Sequence, residues 1–316
     1  MISFRYHIVS IVSVFLALAI GVALGGGPLK GEVDNSLVEQ VESDRKVKAG
    51  LQEEIMALRS SNGFTDSFAE TVAPGLLANN LEGRPVTLIV LPDAEQRAVN
   101  SVGELVEVAG GSVAGTLQVG EEMIDVGQRQ LVEELSTQLL DRTRDVDVPD
   151  DASGYDRMGA LLARAVGTDE DAGADIDEQG NGILAGLSTA GLMSPKGDFE
   201  QRGSLVVILA GPGAGSSEEM QGANTIVGAL AKAIDAETDG VVVAGPLASA
   251  RQDGLVAALR KDVVAARELS TVDSLGRTAG EVVTVLALER QAVGESGHYG
   301  AADAADGTMP SLVAPD

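Results

Sequence analysis

The stretch whose residue types most suggest chemistry is "VVILAGPGAGSSEE", residues 206–219. An aliphatic run breaks into Gly211, Gly213 and Gly215, and a polar helix start follows. Strand, glycines and helix in that order can hold a phosphate at a helix N-terminus. The details favour a turn instead. No Gly-Lys-Ser/Thr follows, and Ser216 stands where a G-x-G-x-x-G motif needs its last glycine. The next strand ends in Ala244-Gly245-Pro246, where a ribose-binding acid is expected. A second stretch, Asp175-x-Asp177-x-Gln179-Gly180, matches the start of a calcium loop. Its twelfth position is Gly186 rather than a bidentate Glu, so it reads as a solvated acidic loop.

Other reactive residues are scarce. Cysteine is absent, which removes disulfides, thiol nucleophiles and thiolate metal sites together. The two histidines are His7, beside an apolar run, and His298, in a glycine-flanked segment near the C-terminus. A Ser-His-Asp hydrolase would depend on His298 alone, and a His-rich zinc site cannot be assembled within one chain. The seven methionines are scattered rather than clustered as a soft-metal relay requires. The expectation is a non-catalytic protein with no resident cofactor or metal. The formal charge of −26 repels a phosphate backbone and an anionic lipid surface, so nucleic acid is not an expected partner. With no Trp, three Tyr and five Phe, a glycan-stacking groove is not expected either.

The elements that would position any site alternate. Strand patterns fall at 86–91, 112–119, 204–210, 240–245 and 268–274. Helical patterns fall at about 94–109, 127–140, 155–166, 178–191, 216–235, 247–260 and 277–292. Continuous apolar strands separated by helices imply a parallel sheet covered on both faces, a Rossmann-like α/β domain over residues 64–300. Leu91-Pro92, Gly211-Pro212 and Gly245-Pro246 end three of the strands, where proline sets the turn without needing a donor. Residues 120–200 show helices, acidic loops and no strand pattern, and are expected to form a helical insertion. Residues 301–316 are expected to be a flexible tail.

Before this domain, residues 1–29 carry an apolar run long enough to cross a bilayer as a helix. Ala23-Leu24-Gly25 also resembles a signal-peptide cleavage site, but the run exceeds an ordinary h-region and only Arg5 precedes it as a basic residue. The segment therefore reads as an uncleaved single-pass anchor in the cell membrane. Its N-terminus is expected in the cytoplasm and the α/β domain in the envelope space. Ala17, Gly21 and Gly25 recur every four residues, a spacing that lets two membrane helices approach closely, although Gly and Ala are common in such helices anyway. Residues 30–63 read as a coiled-coil stalk. Its 3-4 seam is Leu37, Val41, Asp44, Lys48, Leu51, Ile55, Leu58 and Asn62. The apolar members Leu37, Val41, Leu51, Ile55 and Leu58 are the expected partner-facing residues, in a homodimer or a hetero-oligomer. A solitary amphipathic helix packed on its own domain is the alternative. Gly25-Gly-Gly-Pro28 is the expected hinge between span and stalk.

Several segments carry a family resemblance: "MISFRYHIVSIVSVFLALAIGVALG", "VTLIVLPDAE", "VEVAGGSVAGTLQV", "STVDSLGRTAGEVVTVLALE" and the late "GHYG". Together they resemble the mycobacterial copper transport protein B (MctB) family, whose corynebacterial members are called SteB. The likeness runs from Met1 to about Gly300. It implies one of two functions: copper transport or an envelope channel, or a membrane-anchored regulator of daughter-cell separation. In the second, the protein partners the membrane protein SteA and promotes a peptidoglycan hydrolase of the NlpC/P60 type. No residue role comes with the resemblance.

Overall fold

The computed structural model describes residues 4–25, 29–149, 151–197 and 199–312, with side chains placed from Arg5 to Gly25 and again from Val38. Of the expected hinge at residues 25–28, Gly25 ends the first helix and residues 26–28 lie outside the described residues. The chain divides into two compact units, Met1–Phe64 and Thr65–Asp316.

The first unit is helical. Helix α1 (Phe4–Gly25) holds the apolar run, and among the described residues Arg5–Gly25 is the one helix long and apolar enough to cross a membrane. Helix α2 (Leu29–Leu77) begins in this unit and ends in the second. It is thus longer than the expected 30–63 stretch. Its last turns bury Ala69, Ala73 and Leu77 in the α/β domain, and Pro74 sits inside the helix with an exposed ring. Asn79, at φ 65°, turns the chain out of the helix, a left-handed conformation that asparagine tolerates.

The second unit is built on β1 (Pro85–Val90), which is buried along its whole length. Helix α3 (Gln96–Val108) returns the chain to β2 (Ser112–Val119), parallel to β1. Then follow α4 (Glu121–Ile124), α5 (Arg129–Leu140), α6 (Gly154–Val166), β3 (Ala174–Asp175), α7 (Glu178–Thr189), β4 (Met193–Pro195) and β5 (Gln201–Arg202). Strand β6 (Leu205–Leu209) pairs with the other side of β1. The rest is α8 (Ser217–Asp235), β7 (Val241–Ala244), α9 (Leu255–Lys261), α10 (Ala265–Glu268), β8 (Ser270–Val272), α11 (Thr278–Gln291) and β9 (His298–Tyr299). The main sheet runs β4-β2-β1-β6-β7-β8-β9, parallel throughout except for β4 on β2. This is the expected mostly parallel α/β sheet.

Alternation along the central strands fills two cores. Val86, Leu88 and Val90 of β1, with Leu205, Val207 and Leu209 of β6, face the layer of α3, α11 and the end of α2. Ile89, Val206 and Ile208 point the other way, into the layer that holds Leu161 and Leu162 of α6 and Leu230 of α8. Both faces are covered, as a parallel sheet requires.

The structure adds three features to the expected fold. Residues 120–200 are more than an insertion of helices: they supply edge strand β4, whose three residues are too short to show a period, and α6 is a core helix of the sheet. Strand β9 was invisible for the same reason of length. The described part of the expected tail makes contacts with the domain. Gly300 N donates to Gly307 O (3.1 Å), Asp306 N donates to His298 O (3.1 Å), and Met309 packs on the core. Residues 313–316 lie outside the described residues.

An ion pair fastens that end. Asp273 is fully buried, and Arg260 Nη1 donates to its Oδ2 at 2.9 Å. The same guanidinium donates from Nε to Thr271 Oγ1 (2.9 Å) and from Nη2 to Tyr299 O (2.9 Å). Asp273 also accepts from the backbone N–H groups of Ala301 (2.7 Å) and Ala302 (3.1 Å). Gly300 is required beside it: φ is +136°, and a Cβ there would stand 2.2 Å from Asp273 Oδ1. Breaking such a pair from one side leaves a buried, unpaired charge, which costs about 3–5 kcal/mol. Asp273→Ala is therefore expected to lower thermal stability severely in a melting experiment, and Gly300→Ala to do so through strain.

Asp235, at the end of α8, behaves oppositely. Burial is the main cause that pushes its carboxyl up to about 6, against a hydrogen bond from Val241 N at 2.9 Å. A raised folded value means stability that is fully present below the ordinary carboxyl value near 4 and is lost as pH rises through about 6. Asp235→Asn keeps an acceptor for Val241 N without the charge. Its melting temperature should exceed the parent's at pH 7.5, and the gain should vanish near pH 4. After allowance for partial exposure the effect at pH 7.5 is roughly 1 kcal/mol, or about 2–4 °C for a domain of this size.

Candidate functional site

In α1 the Ala17, Gly21, Gly25 row is solvent-facing, and where a Cβ would stand on Gly21 or Gly25 nothing lies within 4 Å. The seam residues share one helix, α2. Of Leu37 only the helical backbone is described. Val41, Leu51, Ile55 and Leu58 are all 46–57% exposed. Their spacing of three and four places Leu51, Ile55 and Leu58 on one helix face. Val41 is separated from them by Asp44 and Lys48. Leu51, Ile55 and Leu58 are thus exposed apolar residues at the 3-4 spacing expected of a helical seam.

The glycine loop occupies the place where open α/β sheets usually bind ligands. Chain order reverses between β1 and β6, and a crevice opens beyond the carboxyl ends of strands at such a switch. A cavity of about 590 Å³ lies there, with Leu91, Ala210 and Leu255 among its apolar walls. The turn itself is tight. Gly213 and Gly215 hold φ of +80° and +104°, and Gly211 packs on the backbone of Asp93, itself at φ 63°. The N-terminus of α8 is already occupied by its own side chains. Ser216 N donates to Glu219 Oε2 (2.7 Å), Ser216 Oγ donates to the same oxygen (2.8 Å), and Glu219 N donates back to Ser216 Oγ (3.4 Å). The Ser216 bonds hold the Glu219 carboxyl below its usual range. Asp93, Glu121, Glu122, Asp125 and Asp253 line the rest, with no Lys, Arg or His among the described lining residues. A phosphate would displace a capping carboxylate and sit among like charges. The cleft is therefore ill suited to nucleotides.

The other motif residues hold structural posts. Asp177 caps α7, accepting from Gly180 N (2.8 Å) and pairing with Arg164, while Asp175 lies in β3. The Arg164 bond is the main cause that lowers the Asp177 carboxyl. His298 is buried in β9 with both ring nitrogens engaged, Nδ1 2.9 Å from Thr271 Oγ1 and Nε2 3.1 Å from Ala266 O. Burial, then the Arg260 charge, lowers its pKa, so the neutral ring is favoured. Met123, Met158 and Met193 are core side chains. Among the described residues no group of three or more His, Cys, Asp or Glu is arranged to hold a metal ion.

Sequence reasoning missed one recess. Between α3, α11 and the last turns of α2 lies a cavity of about 370 Å³, with the buried carboxylate of Glu281 in its wall. The signal was available: Glu281 is a lone acid at the head of the apolar run "GEVVTVLAL".

The comparisons with known proteins agree along the length of the chain. A family model described as "Copper transport outer membrane protein, MctB" matches residues 1–310. The chain is similar to the protein named copper transporter MctB of Mycobacterium tuberculosis (strain ATCC 25618 / H37Rv), 28% identical over 317 residues and covering 95% of this chain and 96% of that one. The Mycobacterium leprae (strain TN) protein of the same name is 26% identical over 318 residues, again with 95% and 96% covered.

The cleft's self-capped helix and carboxylate lining lead to a direct expectation. Millimolar ATP, NAD or inorganic phosphate should give no thermal shift of the protein, and Gly213→Val should lower its melting temperature by strain alone. A saturable shift with any of these anions, lost in Gly213→Val, would reverse that conclusion.

Proposed function

The chain belongs to the MctB family, and from that membership and the geometry above we propose that it is a membrane-anchored envelope scaffold without catalysis of its own. In this reading α1 anchors the chain with its N-terminus in the cytoplasm, and the α/β domain stands in the envelope space. Helix α2 forms the stalk that meets partners through Val41, Leu51, Ile55 and Leu58, with Leu37 at its start. The SteA-like membrane protein is the proposed partner of span and stalk. The NlpC/P60-type peptidoglycan hydrolase is the proposed client, and daughter-cell separation the process served. The observation that carries the reading is the exposed seam. Covering a half-exposed Leu or Ile side chain recovers roughly 1 kcal/mol, so several in a row give a partner helix a drive to cover them.

The second reading is copper transport, after the relatives' name. Copper is usually held by Cys, His or clustered Met. This chain has no Cys, its described core Met side chains are engaged in packing, and His298 spends both ring nitrogens on protein partners. These facts weigh toward the scaffold.

A deletion strain separates the two readings, with septum separation scored by microscopy and cell copper measured in the same cultures. The scaffold gives chained, unseparated cells with ordinary copper content. Normal separation with raised copper would overturn it. Complementation with Leu51→Asp plus Ile55→Asp should leave the α/β domain folded, abolish partner capture and fail to restore separation. Full restoration would remove the seam from the mechanism.

A further inference from the structure

Helix α2 repeats as heptads, and its polar positions narrow the choice of companion. With Leu37 as a d position, Val41, Lys48 and Ile55 fall at a, and Asp44, Leu51 and Leu58 at d. Val41, Leu51, Ile55 and Leu58 are 46–57% exposed, and Asp44, Lys48, Glu54 and Arg59 are exposed beside them. Val and Ile at a with Leu at d favour two parallel strands over three or four. The charged residues fit one arrangement of two strands. In a parallel, in-register pair each a side chain packs beside the preceding d residue of the facing helix. Lys48 then lies against Asp44 of the other strand, and the layer that interrupts the apolar row becomes two crossed ion pairs. A g residue faces the e residue that follows on the other strand, so Glu54 at g meets Arg59 at e, again twice. A slip of one heptad sets Lys48 beside Leu37 or Leu51 and loses the Glu54–Arg59 contact, so the register is specified.

We propose that the occupant of the seam is a second copy of this chain, paired with the first as a parallel, in-register coil of two strands. Charge complementarity carries the choice, because this one sequence supplies both halves of each pair, Asp44 with Lys48 and Glu54 with Arg59. The anchor supplies the direction: two α1 helices entering one membrane from the same side point both stalks the same way. The inference rests on the stalk reading of α2 and adds the identity of what covers the seam. It leaves the outward faces of the paired stalk to the SteA-like protein.

The chain has no cysteine, so single introduced cysteines report pairing without background. In membranes carrying the full chain and treated with a thiol oxidant, Leu51→Cys should cross-link most of the protein as a dimer, because facing d residues stand within disulfide reach. Glu53→Cys, at the outward f position, should give less than about one-tenth of that yield. Differently tagged Leu51→Cys and Leu58→Cys chains should not cross-link to one another, as a slipped coil would require. Charge supplies the second arm. With Leu51→Cys as the reporter, Glu54→Arg and Arg59→Glu should each lower the dimer yield about five-fold, since each sets like charges across the pair. The two variants co-expressed should cross-link to each other as well as the parent does, because their g and e charges are again opposite. No cross-link at Leu51, an equal yield at Glu53, or a mixture no better than either charge variant alone overturns the proposal. The dimer and the scaffold are read apart by the deletion strain. A cross-linked dimer in a protein whose loss leaves separation normal keeps this inference and sinks the scaffold. Impaired separation with no Leu51 cross-link sinks the dimer and leaves the seam to a helix of another protein.

Discussion

The α/β domain depends on one constraint: β1 and β6 are adjacent parallel strands buried on both sides. Parallel strands cannot be joined by a tight turn, so each pairing needs a crossover, and each crossover must lie on one face or the other. Helices α3 and α11 take one face and α6 and α8 the other. The order reversal between β1 and β6 follows, and with it a crevice at the carboxyl edge. In a dehydrogenase that crevice carries the function. Here it is lined by carboxylates and closed to anions by the Ser216–Glu219 cap, so the scaffold geometry is kept while the usual use of it is not.

The two most distinctive late motifs share a physical explanation. Residues "STVDS" hold β8 and, directly after it, Asp273, and "GHYG" holds β9 beside them. Arg260 reaches from α9 to Thr271, Asp273 and the Tyr299 carbonyl at once, and Gly300 leaves room for the Asp273 carboxylate. His298 belongs to the same assembly through Thr271. The motif's reactive residue types thus make a buried clamp on a two-residue edge strand, which could not hold itself by backbone pairing alone.

Much of this was legible in the residues. The long aliphatic runs gave β1, β6 and β7, because a strand buried on both faces must be apolar without alternation. The glycine loop could be recognised as a turn from the absence of Lys and from Ser216 at the motif's last glycine position. What was hidden had no local period. Strands β4 and β9 span three and two residues, too few for any pattern, and their places are decided by partners far along the chain. The end of α2 was hidden too: Pro74 and Gly75 are poor helix residues, and the helix runs through them to bury Ala73 and Leu77. Glu281 was concealed differently. An acid in an apolar helix reads as exposed, and only the packing of α3 against α11 puts it inside.

Helix α2 shows why a partner is the economical account of the seam. Along a single helix, Ala69, Ala73 and Leu77 are buried in the α/β domain, whereas Leu51, Ile55 and Leu58 stay about half exposed among the described residues. Propensity does not explain those residues at that spacing, since alanine or glutamine would hold the helix as well at less cost to solubility. Asp44 and Lys48 interrupt the row with opposite charges. Such a polar break weakens an arbitrary apolar contact and favours a companion that supplies complementary charges in register. In the proposed scaffold, the seam would supply both the drive to associate and a rule about which helix satisfies it, which is what a docking stalk needs and a passive spacer does not.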